Sequence, residues 1–255
     1  MNRPEGNFQK NKFQITKKIK LKISIIIPIL NEADNIVQLL EYLYENSSAT
    51  NIKEILIVDG GSTDGSQEII KRLTQEKGLD IILLHSKKGR ARQMNVGAKK
   101  AKGELLYFLH ADSIPPRNFD KAIIDAANDN ASAGCFRMKF DNDHLVLKFS
   151  QWFTRFNLRG CRGGDQSLFI KRELFDTLNG FNEDYIIYED SEFIGRLYDQ
   201  GEFTVIPDYV TTSSRRYDAN GTWRLQYHFT VIHLKKFFGA SPNQLYQYYK
   251  RNIAS

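Results

Sequence analysis

The 255-residue sequence predicts an α/β protein with a doubly wound, mostly parallel sheet and C-terminal helices. Three observations carry this reading. Runs of β-branched and aliphatic residues alternate with helix-like segments four times in the first half. Each run is nearly continuous in Ile, Leu and Val, as strands covered on both faces are. Each run also ends in polar or small residues, on the rim where an open parallel sheet binds its ligands.

Lys22–Leu30 (KISIIIPIL) is the first strand, and NIVQLLEYLYEN after it has its apolar residues at helical spacing. Lys53–Asp59 (KEILIVD) follows, then a helix expected to start at a cap among Ser62, Thr63 and Asp64 and to end near Gly78. Asp80–Ser86 (DIILLHS) precedes the helix RARQMNVGAKKAK. ELLYFLH is the fourth strand, and Pro115 or Pro116 is placed to open the helix beyond it. In the second half, SAGCFRMKFD reads as a strand, HLVLKFSQWFTRFNL as an amphipathic helix, and QSLFI as a buried strand leading into the helix KRELFDTL. EDSEFIGRLYDQ is a further helix, and EFTVIPDYVTTSSRRY is extended and broken by Pro207. TWRLQYHFTVIHLKKFF and SPNQLYQYYKRN read as two terminal helices. The expected organisation is a basic flexible tail over residues 1–21, one α/β domain over 22–220 and a helical extension over 221–255.

The net charge is +6, and residues 1–22 account for it with seven Lys/Arg against Glu5. The remainder balances 29 basic against 29 acidic residues. A neutral body offers no folded basic surface, which excludes nucleic acid as a partner. No apolar stretch approaches the ~20 residues that cross a bilayer, and the first residues do not read as a signal peptide. Cys135 and Cys161 show no metal spacing and suit reduced cytoplasmic thiols. The expected location is the cytoplasm, with its membrane face as an option, because a basic tail is a weak anchor on anionic lipid. WRLQYHFTVIHLKKFF interleaves aromatic, aliphatic and basic residues as an interfacial helix does. Packing on the domain or on a homodimer partner explains the same pattern, so peripheral membrane contact and a homodimer both stay open.

The polar strand ends are Asn31 and Glu32, then Asp59 to Ser62 with Asp64 beyond, then His85 and Ser86, then His110 and Asp112. Each alone suits a turn or a helix cap. Together they suit a divalent ion or the ribose and base edge of a nucleotide. Mg²⁺ or Mn²⁺ borrows further oxygens from a substrate diphosphate. Arg90 and Arg92 open a helix, so guanidiniums and free backbone N–H groups can face phosphate oxygens. Neither a G-x-x-x-x-G-K-[ST] loop nor a G-x-G-x-x-G after the first strand is present, which argues against an ATPase and a dinucleotide oxidoreductase. Glu189 and Asp190 sit side by side at a helix start, where acids complement the helix dipole. With their loop folded over the rim, one of them can take a proton from an acceptor hydroxyl.

In order and spacing, SIIIPILNEADNI, EILIVDGGSTDGS, GRARQMNVGAKKAKGELLYFLHADS and YEDSEFIGRL resemble the motifs of glycosyltransferase family 2, whose catalytic domain has the GT-A fold. The resemblance spans roughly residues 22–217. With GDQSLFIKRELFDTLNGF and TTSSRRYD added, the set is similar to a bacterial subfamily described as arsenosugar-type or radical-SAM-associated transferases. Some similar chains are tied to glycosylation of carotenoid acids.

The resemblance implies transfer of a single sugar with inversion, from a UDP- or GDP-type donor to a hydroxyl or carboxylate of a small-molecule or lipid-like acceptor, assisted by Mg²⁺ or Mn²⁺. By the same resemblance Asn31 and Glu32 contact the nucleotide, Asp59 reads the base, and Asp64 belongs to the same loop. His110-Ala111-Asp112 occupies the Asp-x-Asp position, making Asp112, with His110, the metal ligands. Asp190 is the general base, with Glu189 beside it, and Arg215 and Arg216 lie over the phosphates. The segment Arg159–Gln166, with Asp165 and Gln166, is expected on the substrate side. His110 stands where the family has an Asp. Met94 stands where many relatives carry an Arg, which shifts that duty to Arg90 or Arg92. The Gln-x-x-Arg-Trp motif of processive synthases is absent. Two other readings compete: a nucleotide-sugar-binding protein that lost catalysis through His110, and a sugar nucleotidyltransferase, which needs a glycine- and lysine-rich loop that PILNEADN lacks.

Overall fold

In the computed structural model, which describes residues 21–77, 80–201 and 203–253, the first half follows the alternation read from the sequence. It comprises β1 (Ile23–Ile29), α1 (Ala33–Asn46), β2 (Ile52–Asp59), α2 (Ser66–Lys77), β3 (Ile81–His85), α3 (Arg90–Lys100) and β4 (Leu105–Phe108). The four strands lie in the order β3-β2-β1-β4 and run parallel, with Ile26 between Leu56 and Phe108. Strand order reverses at β1, so a crevice opens between the carboxyl ends of β1 and β4.

Successive residues of β1 point to opposite faces and serve two cores. Ile25 and Ile27 pack with Leu39, Leu43 and Phe119, while Ile26 packs with Val58, Met94 and Ala98. Each such fully buried side chain contributes about 1.5–3 kcal/mol. Gly97 lets α3 lie close to the sheet, since a Cβ there would stand 2.5 Å from Ile26 Cγ2. Buried Gln93 then donates from Nε2 to the carbonyls of Ile29 (2.7 Å) and Val58 (2.8 Å), fixing α3 beneath the rim.

Beyond β4 come β5 (Ser113–Ile114), α4 (Phe119–Asn128), β6 (Ala133–Phe140), α5 (Leu145–Phe153), β7 (Leu168–Lys171), α6 (Arg172–Thr177), α7 (Glu189–Asp199), β8 (Phe203–Thr212), α8 (Arg215–Asn220), α9 (Thr222–Phe237) and α10 (Pro242–Asn252). β7 lies antiparallel between β4 and β6, β8 runs parallel to β6, and β5 pairs antiparallel with β8 at the edge.

Several boundaries depart from expectation, each for a local reason. α2 starts at Ser66 rather than among residues 62–64, because Ser62 and Asp64 bind neighbouring loops; its expected end at Gly78 lies outside the described residues, as do residues 1–20 of the basic tail. β4 stops at Phe108, short of His110. α4 starts at Phe119, not at a proline, because the Pro116 carbonyl first accepts the Phe119 N–H and Asn118 takes a left-handed turn. α5 ends at Phe153 and fully buries Leu147 alone, leaving Phe149 and Trp152 exposed. Pro207 does not break β8; the register with β6 shifts there and the strand continues as a bulge.

The C-terminal helices do not stand apart from the α/β body. Leu225, Ile232, Leu245 and Ile253 form a core with Tyr185, and Ile187 and Tyr188 pack against it. A capping box between Ser241 and Gln244, with Pro242 in the first turn, starts α10. Among the described residues, no helix is long and apolar enough to cross a membrane.

Candidate active site

The first two rim loops are laced to each other. Asn31 turns at φ 57° and accepts the Thr63 N–H at 2.9 Å, while its own N–H donates to Ser62 Oγ at 2.8 Å. Asp64 accepts from the N–H groups of Ala33 (2.9 Å), at the start of α1, and Ser66 (3.0 Å). Asp59 is buried and accepts from four donors: the N–H groups of Gly61 and Ser62, both at 3.0 Å, the Ser62 hydroxyl at 2.5 Å and Gln67 Nε2 at 2.7 Å. A carboxylate accepts about four hydrogen bonds. As folded, Asp59 builds its loop, and contact with a base requires Gln67 to release it.

The ionisable groups converge between β1, β4 and α7. Arg90 opens α3 behind Gly89, whose φ is 140°. Its Nη1 lies 3.0 Å from Glu189 Oε1 and 3.7 Å from Asp190 Oδ2. His110 sits between two carboxylates, with Nδ1 3.4 Å from Asp165 and Nε2 3.6 Å from Asp190. These groups face a cavity of about 1030 Å³ that runs from Pro28 and Glu32 past Asp190 to α9 and α10. A second cavity of about 290 Å³ adjoins it, sharing Glu32, Arg90, His110, Asp165 and Arg216 and adding Asp112 and Arg215.

Burial and the charge of Arg90 both oppose a protonated His110, yet the Asp165 and Asp190 carboxylates on either side of the ring outweigh them and push it up to about 10. His110 and Arg90 hold the exposed Asp165 carboxylate below its ordinary range. Glu189 is pushed above the ordinary carboxyl range, because burial, with Asp190 beside it, outweighs the stabilising Arg90. Asp190 is the more open of the two, 14% exposed against 3%.

A His whose folded value lies above the ordinary 6.5 stabilises the fold fully below that pH, and the contribution is lost as pH rises through about 10. The melting temperature should therefore fall with rising pH more steeply for the native chain than for His110→Gln. Parallel melting curves from about pH 6 to pH 10 check this; equal slopes would refute the clamp.

Long-range bonds deliver α7 to this place. Asn95 on α3 exchanges hydrogen bonds with the Phe181 backbone, both at 2.9 Å, and donates to Glu183. Arg196 donates to the carbonyls of Leu178 and Gly180. Tyr188 then turns at φ 72° into the first residue of α7. Opposite stands Gly164, where a Cβ would fall 2.0 Å from Asp190 Oδ2 and 2.9 Å from His110 Cε1. If Asp190 is the base that the resemblance implies, Gly164→Ala should displace its carboxylate and lower turnover about 10²-fold, as a misplacement of about 1 Å can. Its melting temperature should stay within a few degrees, since the displaced group is a side chain and not the core. Turnover and melting on one preparation check both.

Several of the expected residues also have partners within the fold. Gln166 is buried, accepts from Arg162 and donates to the Cys161 carbonyl at 2.8 Å. As folded, it shapes its own loop. Arg92 pairs with Glu183 at 3.0 Å, on the rim of the large cavity, leaving Arg90 as the central guanidinium. Met94 is core. Arg216 donates to Tyr249 OH at 2.9 Å, joining α8 to α10.

Arg215 reaches both Glu32 oxygens, at 2.8 and 2.9 Å, and lies 3.5 Å from Asp112. Two carboxylates thus converge on one cation, and hard oxygen donors of this kind fit Mg²⁺ or Mn²⁺. As folded, both His110 ring nitrogens face carboxylates, Nδ1 toward Asp165 and Nε2 toward Asp190. Among the described residues no three His, Cys, Asp or Glu side chains gather as a closed metal cage. The donor set matches an ion that takes its remaining oxygens from a diphosphate.

The sequence reading missed the far wall of the cavity: Tyr188, Phe229, Ile232, His233, Tyr246, Tyr249 and Lys250. Its signal lay in the tyrosine spacing of QLYQYYK, which is shared by any helix packed through one face.

A mixed sheet with its acidic rim at the β1/β4 crevice is the arrangement of nucleotide-sugar transferases of the GT-A fold. Residues 24–185 match Glycosyl transferase family 2, and the chain belongs to that family. It is 25% identical to the glycosyltransferase AglE of Haloferax volcanii, over 71% of this chain and 58% of that one. It is also 25% identical to the undecaprenyl-phosphate 4-deoxy-4-formamido-L-arabinose transferase of Edwardsiella ictaluri, over 76% and 57% of the two chains. The chain thus spans under three fifths of these two relatives. The mannosyltransferase PcManGT from Pyrobaculum calidifontis, solved in complex with GDP-Man and Mn²⁺, superposes with a TM-score of 0.69 at 22% identity, over 91% of this chain and 70% of that one. This likeness establishes the GT-A fold.

Proposed function

We propose that the protein transfers a single sugar, with inversion, from a nucleoside-diphosphate donor of the UDP or GDP type to a hydroxyl or carboxylate on a small or lipid-like acceptor. The observation that carries this reading is the position of Asp190. Its carboxylate enters the large cavity from an α-helix N-terminus, between His110 and Arg90 and away from the Asp112 side where a diphosphate fits. The arsenosugar-type subfamily is part of the proposal and rests on GDQSLFIKRELFDTLNGF and TTSSRRYD. A lipid-like acceptor is suggested by the undecaprenyl-phosphate relative and by the aromatic far wall.

In this mechanism the donor diphosphate lies in the smaller cavity, where Arg90, Arg215 and Arg216 offset the charge that develops on it as the sugar bond breaks. Asp112, with Glu32, would hold Mg²⁺ or Mn²⁺, which when bound supplies further positive charge for the leaving group. Asp190 takes the proton from an acceptor hydroxyl in the larger cavity, and the acceptor oxygen attacks the anomeric carbon from the face opposite the diphosphate. Protonated His110 holds the Asp190 and Asp165 carboxylates at fixed positions and transfers no proton itself.

Thermal shift with UDP- and GDP-sugars, with and without Mn²⁺, tests the donor. A matched donor at about 100 Kd should raise the melting temperature by roughly 5–10 °C. Chelation should remove most of that shift, and Asp112→Asn should show only the metal-free part. No response to any sugar nucleotide would sink the reading. Donor binding with neither hydrolysis nor transfer, across acceptors, would favour a binding protein.

A further inference from the structure

We propose that the α9–α10 pair is a docking surface for an anionic lipid bilayer. On α9, Leu225, Phe229 and Ile232 face inward, where Leu225 and Ile232 join the C-terminal core and Phe229 and Ile232 line the large cavity. About half a turn round the helix, Trp223, Tyr227, Leu234 and Phe237 form a second apolar stripe at helical spacing, and Phe238 follows directly. They are exposed by 73%, 62%, 51%, 82% and 81%. A surface helix that is apolar on both sides has only half of its burial accounted for by its own fold.

Charge identifies what covers the other half. Residues 221–255 contain Arg224, Lys235, Lys236, Lys250 and Arg251 and no Asp or Glu. The body over 23–220 has 24 basic against 29 acidic residues. The basic excess of the folded part is thus concentrated on these two helices, of which α9 and its C-terminal cap carry the exposed aromatics. Arg224 and Lys235 flank the aromatic stripe. Arg224 meets a backbone carbonyl, Lys235 the Tyr248 ring and Lys236 the Tyr185 hydroxyl and ring, none of them an acid. Their charge remains for an outside anion.

A second copy of the chain suits this face poorly. A two-fold contact through α9 would set one cationic, acid-free surface against its own image. Anionic headgroups over the cations and acyl chains under the aromatic rings meet both requirements at once. Docking in this way would bring the bilayer to the helix that walls the acceptor end of the cavity. It does not depend on the transferase reading, since the surface is defined without Asp190 or the rim.

Flotation of the full chain with phosphatidylcholine vesicles, and with vesicles in which about a quarter of the lipid is phosphatidylglycerol, tests the proposal. The native protein should float with the anionic vesicles only, and less so at high salt. Phe237→Asp/Phe238→Asp changes two fully displayed side chains and should abolish flotation without moving the melting temperature. Arg224→Gln/Lys235→Gln should weaken partitioning on the order of 20-fold, roughly fivefold per cation. Three results would each overturn it: no flotation, flotation unchanged in the Phe237/Phe238 variant, or a lipid-free dimer in sedimentation that the same variant dissociates. Transfer to a soluble acceptor, measured alongside, separates failure of docking from failure of the transferase reading.

Discussion

Asp190→Asn should lower turnover about 10³-fold while leaving donor affinity within a few-fold of native. The substitution keeps size and shape but removes the acceptor for a hydroxyl proton. The donor contacts proposed for Arg90, Arg215, Arg216 and Asp112 remain, so thermal shift by the sugar nucleotide should persist. Steady-state transfer and donor titration on one preparation check both halves. Asp112→Asn is expected to show the opposite split, with weakened metal-dependent donor binding. If both variants show the same mild loss, the division of roles between Asp190 and Asp112 is wrong. His110 adds an internal check: Asp190→Asn removes one of its two carboxylates, so the pH dependence of melting should move in the direction of His110→Gln.

Arg90→Leu carries the largest expected effect on stability. It leaves Glu189, only 3% exposed, without the cation that lies 3.0 Å away. Breaking a buried pair from one side costs about 3–5 kcal/mol. Arg90 is itself 43% exposed, so solvent screens the pair and about 2 kcal/mol is expected. For a chain of this size that is a fall of roughly 4–8 °C in melting temperature. Adding Glu189→Gln should recover much of the loss, because the remaining group is neutral, yet transfer should stay low without the guanidinium. Calorimetry of the four chains in the double-mutant cycle checks the coupling. Additive effects would mean that Arg90 and Glu189 do not act as a pair.

The rim was legible because its signals are local. A run such as ISIIIPI, buried on both faces, has one outcome in a parallel sheet, and the residue that ends the run must then stand at the carboxyl edge. That reasoning places Glu32, His110 and Asp112 beside the same crevice without any knowledge of distant contacts. It could not tell which polar residues remain available. Asp59 and Asp64 share the edge with Glu32, but backbone N–H groups of their own loops occupy them. Gln166, expected on the substrate side, is buried and paired with Arg162.

By itself, then, the sequence determined the parallel half of the sheet, the edge that carries the polar residues and the motif order of the family, because 2- and 3.6-residue periodicities act over a few neighbours. The tertiary structure alone decided how charge is distributed there. Glu32 meets Arg215 across 183 positions, and Arg90 meets Glu189 across 99. It also decided that α9 and α10, readable as an appendage, wall the cavity. Contacts of that range are set by how whole elements pack, and no local pattern encodes which side chains of two distant segments will face each other.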